Sequence, residues 1–236
     1  MPMIDADQLS FSPLSEDCLL VSWPSVIDMK TIKQVKALGV HLSSIENIGE
    51  CVPAYASLAI YFDDSLFDHS DLKKLVLDHL EGVGAEEEQI NTWEIPVCYD
   101  PSLGIDQGRF LNEKKVDFEE LVHLHTSNSY TVLMRGFQPG FLYMGDLDER
   151  LHLPRLAKPR PKVLAGSIAI ADGQTGVYPL ESPGGWNIIG CTPSRMLDFS
   201  STEIIPIQQG DIVRFTAVGL DDYHQMKLTN DGPGSV

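Results

Sequence analysis

Long apolar runs are missing from this 236-residue sequence: no stretch approaches the roughly 18 uninterrupted apolar residues of a membrane span. The N-terminus, MPMIDADQLS, has neither the basic start nor the apolar middle of a signal peptide, so the expected location is cytoplasmic. Cysteine is sparse. Cys18, Cys51, Cys98 and Cys191 lie far apart, with no C-x-x-C pair and no Cys/His cluster at zinc spacing, so reduced thiols and no metal centre are expected. Positive charge is also scarce: 17 Lys and Arg against 34 Asp and Glu give a net charge of −17. Such a chain repels phosphate backbones and anionic lipid at long range, which argues against nucleic acid or a membrane as partner. No G-x-x-x-x-G-K-[ST] phosphate loop occurs, and GVGAEE (82–87) fails the G-x-G-x-x-G pattern. The G-x-S-x-G elbow and the H-E-x-x-H helix are absent too. Any nucleotide chemistry is therefore expected to have its equipment on another chain of a complex.

What is present is ordinary globular composition, 43% hydrophobic and 22% charged. The length exceeds the usual domain size of about 100–150 residues, so two domains are expected, 1–97 and 98–236. In the first, CLLVSW is strand-like, and DMKTIKQVKALG places Met29, Ile32, Val35 and Leu38 at helical spacing before a stop at Gly39. Residues 45–52 and 57–62 are β-rich. HSDLKKLVLDHLEG repeats Leu72, Leu75, Val76 and Leu80 behind Ser70 or Asp71 as N-cap, and a last strand covers 92–99. The resulting β-α-β-β-α-β order predicts a ferredoxin-like α+β sandwich. EGVGAEEEQ reads as a solvated acidic run.

After the turn-rich DPSLGIDQGRF and a short helical KVDFEELVHLHTS, the strand candidates become short and closely spaced: YTVLMRG, KVLAGSIAIA, TGVYPL, WNIIGCTP, RMLDF and DIVRFTAV. Dense Gly/Pro turns with almost no further helix predict an all-β, closed or nearly closed barrel. The tail TNDGPGSV is expected to fray.

Residues 135–193 hold the candidate site. Pro139-Gly140, Pro183-Gly184 and Gly184-Gly185 set tight turns, and Gln174, Thr175, Tyr178, Ser182 and Trp186 offer an amide, hydroxyls and an indole N–H. Together they suit a small carboxylate or amide, with the Gly184-Gly185 N–H groups free to approach an oxyanion, or they satisfy their own turns. His125, at the end of the short helix, suits general-base or orienting work, or a helix cap. Arg155, Arg160 and Arg195 could fork onto a carboxylate or pair with internal acids.

GFQPGFLYMGDLDERLHLPR followed by PRPKVLAGSIAIADGQTGVYPLESPGGWNIIGCTP resembles the signature of the family of 5-oxoprolinase B subunits, also known as KipI or allophanate hydrolase subunit 1. The resemblance spans nearly the whole chain. It implies a ferredoxin-like domain followed by a cyclophilin-like barrel. It also implies two partners, the A subunit of 5-oxoprolinase and a cyclophilin-like relative of its C subunit, for ATP-dependent opening of 5-oxoproline to glutamate. The family pattern lands on Phe137, Pro139, Gly140, Phe141 and Tyr143 in a loop that would face a partner. It lands again on Arg155, Gln174, Thr175, Tyr178, Ser182, Gly184, Gly185 and Trp186. Cys191 and Leu164 depart from it, standing where the pattern has a basic residue and a proline. Two other roles are compatible with the same loops: inhibition of a sensor histidine kinase, as in the KipI branch, and a part in urea carboxylase-type chemistry with biotin supplied by a partner.

Overall fold

The chain divides into two units, Met1–Gln89 and Ile90–Val236. The computed structural model describes residues 8–24, 28–80, 90–199, 204–229 and 233–235. The acidic run expected to be a solvated face lies outside the described residues.

In the first unit a four-stranded antiparallel sheet runs β1 (Ser10–Ser15), β2 (Cys18–Ser22), β4 (Ser57–Phe62), β3 (Ile48–Pro53), and helices α1 (Met29–Leu42) and α2 (His69–Leu80) share its core. Alternate strand residues, Leu19 and Val21 on β2 and Leu58, Ile60 and Phe62 on β4, bury against Val35, Leu38 and Leu42 of α1 and Leu72 and Val76 of α2. Asp28 caps α1, accepting from the amides of Lys30 and Thr31 at 3.0 Å. Gly39 does not end that helix. It sits within it, where an added Cβ would stand 3.0 Å from the Leu58 side chain, so its role is close approach to β4. Asp68, rather than Ser70 or Asp71, caps α2: its carboxylate accepts from the Asp71 amide at 2.8 Å.

The expected six-element series is corrected at its end. Its last strand leaves this sheet, and the N-terminal β1 takes the edge place beside β2. That missing strand is β5 (Thr92–Val97), which lies parallel to a strand of the second unit and buries Ile95 and Val97 in that unit's core. The first of the two units accordingly ends ahead of β5.

In the second unit β5 is followed by a single turn, α3 (Gln107–Arg109), running into a π-helical turn at Phe110–Lys114, then α4 (Phe118–Thr126) capped by Asp117. Next come β6 (Ser129–Arg135), β7 (Leu142–Met144), β8 (Arg160–Val163), β9 (Ser167–Ala171), β10 (Gln174–Val177), β11 (Ser182–Gly184), β12 (Asn187–Cys191), β13 (Ile212–Ala217), α5 (Leu220–Thr229) and β14 (Gly234–Ser235). Eight strands form one sheet, β12-β9-β10-β7-β6-β13-β5-β14, and β8 pairs with β11 as a separate ribbon. The sheet curls until Cys98, just past β5, exchanges two backbone hydrogen bonds of 2.9 Å with Cys191 at the end of β12. This unit is not all-β, since α4 and α5 belong to it. RMLDF forms no strand, and the described part of the tail adds β14 to the edge of β5 instead of fraying.

The two faces of the curled sheet follow the period of two. Leu142, Met144, Ile168, Ile170 and Val177 join Leu121 and Leu124 of α4 in the main core. Their chain neighbours Phe141, Tyr143, Ala169, Ala171 and Tyr178 point to the opposite face and pack with Val163 of the β8–β11 ribbon. No described helix is long and apolar enough to cross a membrane.

Candidate functional site

The opposite face of the sheet is floored by small residues. A Cβ on Gly176 would lie 3.0 Å from the Trp186 ring and 3.1 Å from Phe141, so only glycine lets these rings settle on the strand. Phe141 meets Tyr178, Trp186 and Tyr143 with ring centroids 4.9, 5.5 and 4.7 Å apart, in edge-to-face or tilted geometry. Tyr178 accepts a hydrogen bond from the Trp186 amide, and burial pushes its phenol up. Tyr178, Gly184, Gly185 and Trp186 are thus closed inside a packed layer, not gathered around an open cleft. Gly185 gives its carbonyl to the Leu156 amide at 2.7 Å. Ser182 Oγ is buried with no partner among the described residues.

His125 and Thr175 face the other way, into the main core, and His125 is 0% exposed. Tyr99 O–H donates to His125 Nδ1 at 2.7 Å, and His125 Nε2–H donates to Thr175 Oγ1 at 2.8 Å. The tautomer follows from Thr175, whose hydroxyl donates onward to the Ala169 carbonyl at 3.2 Å. The imidazole stacks on Phe215 at 4.6 Å between centroids. Desolvation drops its pKa to about 3, so it is neutral at physiological pH. Both nitrogens are engaged within the protein. This placement argues against the general-base role expected from its position in the sequence and makes His125 the centre of an internal polar chain.

On the solvent side remain Phe137, Pro139, Tyr143, Arg155 and Gln174. The 136–141 turn carries Phe137 at φ 69° and Gly140 at φ 79°. At Gly140 a Cβ would also meet Leu197 at 2.5 Å, so glycine is required twice over. A bulky residue in the left-handed region costs about 1–2 kcal/mol, and Phe137 spends it on leaving 62% of its surface in water. Gln138 ties this turn to the Leu180 carbonyl at 3.3 Å, and Leu164, Leu180 and Phe199 are exposed on the loops 164–166, 178–181 and 192–199. Their mutual contacts, Gly140 on Pro179 and Leu197 and Gly166 on Thr192, gather these loops at one end of the sheet. The result is an apolar surface.

The three loop arginines separate. Arg160 pairs with the buried Asp106, which also accepts from the Ile188 amide at 2.7 Å. Arg109, not singled out by sequence, bonds Asn187 and Glu113. Asp106 and Arg109 lie in turns with no motif around them, and Asn187, though inside the signature run, has nothing in the sequence to set it apart from its neighbours. Arg155 and Arg195 are exposed. A groove of about 500 Å³ lies elsewhere, lined by residues including Tyr99, Asp100, Phe118, Glu119 and His123. It holds none of the expected substrate residues, and its two carboxylates disfavour an anion. Among the described residues no group of three or more His, Cys, Asp or Glu is placed to hold a metal ion.

Residues 9–207 match the family described as the carboxyltransferase domain, subdomain C and D. Proteins named as the B subunit of 5-oxoprolinase are similar over most of their length. The one from Bacillus subtilis (strain 168) is 36% identical over 75% of this chain and 79% of its own. That from Haemophilus influenzae is 36% identical over 90% and 100%, and that from Escherichia coli O157:H7 is 34% identical over 86% and 93%. Among solved structures, TTHA0988 is 30% identical with a TM-score of 0.74, covering 85% of this chain, which spans only 40% of that longer chain. The Kluyveromyces lactis urea carboxylase, 16% identical with a TM-score of 0.79 over 100% of this chain and 24% of its own, shares the fold.

Proposed function

The chain belongs to the carboxyltransferase domain family, subdomain C and D, and on that footing we propose that it is the B subunit of an ATP-dependent 5-oxoprolinase. The reaction converts 5-oxo-L-proline, ATP and water to L-glutamate, ADP and phosphate. The observation that carries this reading is the shared name of three relatives matched over most of their length. Membership of a larger complex fits a chain whose sequence has no phosphate loop and whose candidate residues are mostly buried in packing. We assign the use of ATP to the assembled complex in the cytoplasm, its other members being the A subunit and a relative of the C subunit. In that chemistry phosphorylation of the lactam oxygen makes it a better leaving group. This chain contributes binding and a docking face. We take the exposed end around Phe137, Leu180 and Phe199 as that face: the Phe137 ring meets Phe141 and Tyr178 edge-on and still leaves 62% of its surface in water.

We read the second unit as the cyclophilin-like barrel of the family, and the first as a ferredoxin-like sandwich with its edge strand drawn from the N-terminus. The urea carboxylase likeness is one of fold, and no feature of the site favours that chemistry or kinase inhibition over the oxoprolinase reading. The test is omission: glutamate formation from 5-oxoproline and ATP by the purified partner chains, with and without this one. Activity should depend on its presence. Full activity without it overturns the assignment.

A further inference from the structure

Arg155 is held in place from both sides. The preceding carbonyl, of Pro154, accepts from Asn187 Nδ2 at 3.1 Å, and the following amide, of Leu156, donates to the Gly185 carbonyl at 2.7 Å. A backbone bridge between Leu153 and Asp172 lays the same segment along the β9–β10 turn. The segment has no regular secondary structure, yet the backbone on each side of Arg155 is fixed, so the side chain leaves it from a defined point. The other arginines nearby are already committed, Arg109 to Glu113 and Asn187 and Arg160 to Asp106, as is Lys162 to Glu181. Arg155 has no ion pair or hydrogen bond among the described residues and is exposed, in a chain with twice as many acids as bases. The Leu156–Gly185 hydrogen bond sets this segment beside the aromatic layer that holds Trp186 and Tyr178, and the charge of Arg155 is felt by the phenols of Tyr143 and Tyr178. Tyr143 and Gln174 are part-exposed on the same face: Tyr143 pairs with Gly176 across β7 and β10, and Gln174 is two residues along. An exposed guanidinium on an anchored backbone, with a phenol and an amide nearby, matches a small ligand that has one carboxylate and one amide.

We propose that Arg155 receives the carboxylate of the substrate and sets the preference for an anionic over a neutral cyclic amide. This rests on the oxoprolinase reading. Guanidinium is suited to the task because its planar fork offers two parallel N–H donors to a carboxylate, which an ammonium does not.

The experiment uses the reconstituted complex with wild-type chain, Arg155→Gln and Arg155→Lys, on 5-oxoproline and on its neutral carboxamide. Losing a charge-assisted pair should raise KM for 5-oxoproline by about 10- to 100-fold in Arg155→Gln, with a smaller rise in Arg155→Lys and little change in kcat. KM for the carboxamide should stay unchanged, and both variants should melt and assemble like wild type. An unchanged KM for 5-oxoproline, or an equal rise for both substrates, overturns the proposal and leaves the oxoprolinase reading standing. A wild-type complex indifferent to omission of this chain removes that reading, and the proposal falls with it.

Discussion

Acid should loosen the second unit through His125, and the size of the effect follows from its surroundings. The imidazole is fully buried, and desolvation holds its pKa near 3 against an ordinary 6.5. In the unfolded chain it protonates below 6.5; in the folded chain it stays neutral to about 3. The stability it contributes is therefore complete above pH 6.5 and drains as the pH falls through that window. From 6.5 to 5 the loss runs at about 1.4 kcal/mol per pH unit, about 2 kcal/mol in all. In a unit this size 1 kcal/mol moves Tm by about 2–4 °C, so melting should drop by about 4–8 °C between pH 8 and 5 from this residue alone. Carboxylates with lowered pKa values add their own loss further into acid; Asp148, held near 2 by hydrogen bonds from Arg150, is one. The measurement is accordingly a difference: melts across that range for wild type and for His125→Gln, which keeps a donor and an acceptor but cannot titrate. The variant should be less stable at pH 8 and have a shallower acid slope. Equal slopes, or an imidazole seen by NMR to titrate near 6.5 in the folded protein, would refute the reasoning and reopen His125 as a proton carrier.

Two further outcomes test the surface and the interior separately. Phe137→Gly relieves about 1–2 kcal/mol of left-handed strain and forfeits edge contacts with Phe141 and Tyr178 of similar size, so Tm should move little while co-elution with the partner chains weakens; unimpaired co-elution would show that the exposed ring is not a docking element. Asp106→Asn leaves Arg160 without its acid and weakens the acceptor of the Ile188 amide, costing about 1.5–3 kcal/mol, read as a clear fall in Tm; an unmoved Tm would mean that Arg160 finds another partner.

Hydrophobic spacing made the elements with wide buried faces legible: α1, α2, β2, β4, β9 and β13 stand where the pattern puts them. It failed where an element is held by very little. Tyr223 is the one buried residue of α5, so LDDYHQMKLT carries no periodicity to read. β1 is almost wholly exposed, and β7 has three residues. The fate of β5 was a different kind of miss. A strand after α2 is evident in TWEIPV, but which sheet it joins depends on pairing with β13, more than a hundred residues away, and no local signal encodes that.

The same asymmetry governs the site. Glycine, proline and aromatic density correctly marked a region of close packing, but residue type could not say which side of a strand meets water. Period two decides that: Thr175 turns inward to His125 while Gln174 turns outward, although the two are adjacent and equally polar. Among the arginines the deciding fact was a buried acid, since Asp106 claims Arg160 and leaves Arg155 exposed. Cys191 fits this logic as well. It lies at the seam where the curled sheet meets itself, 5% exposed, its thiol pushed up by burial and accepting from Tyr223 O–H at 3.3 Å. Lys227 in turn donates to that phenol at 3.1 Å. A basic side chain at position 191 would have to be buried beside Cys98 and Tyr223, whereas here the cation comes from α5 with its ammonium part-exposed and the thiol fills the interior. The helix that spacing could not reveal thus covers the seam, its Tyr223 closing over the neutral thiol of Cys191.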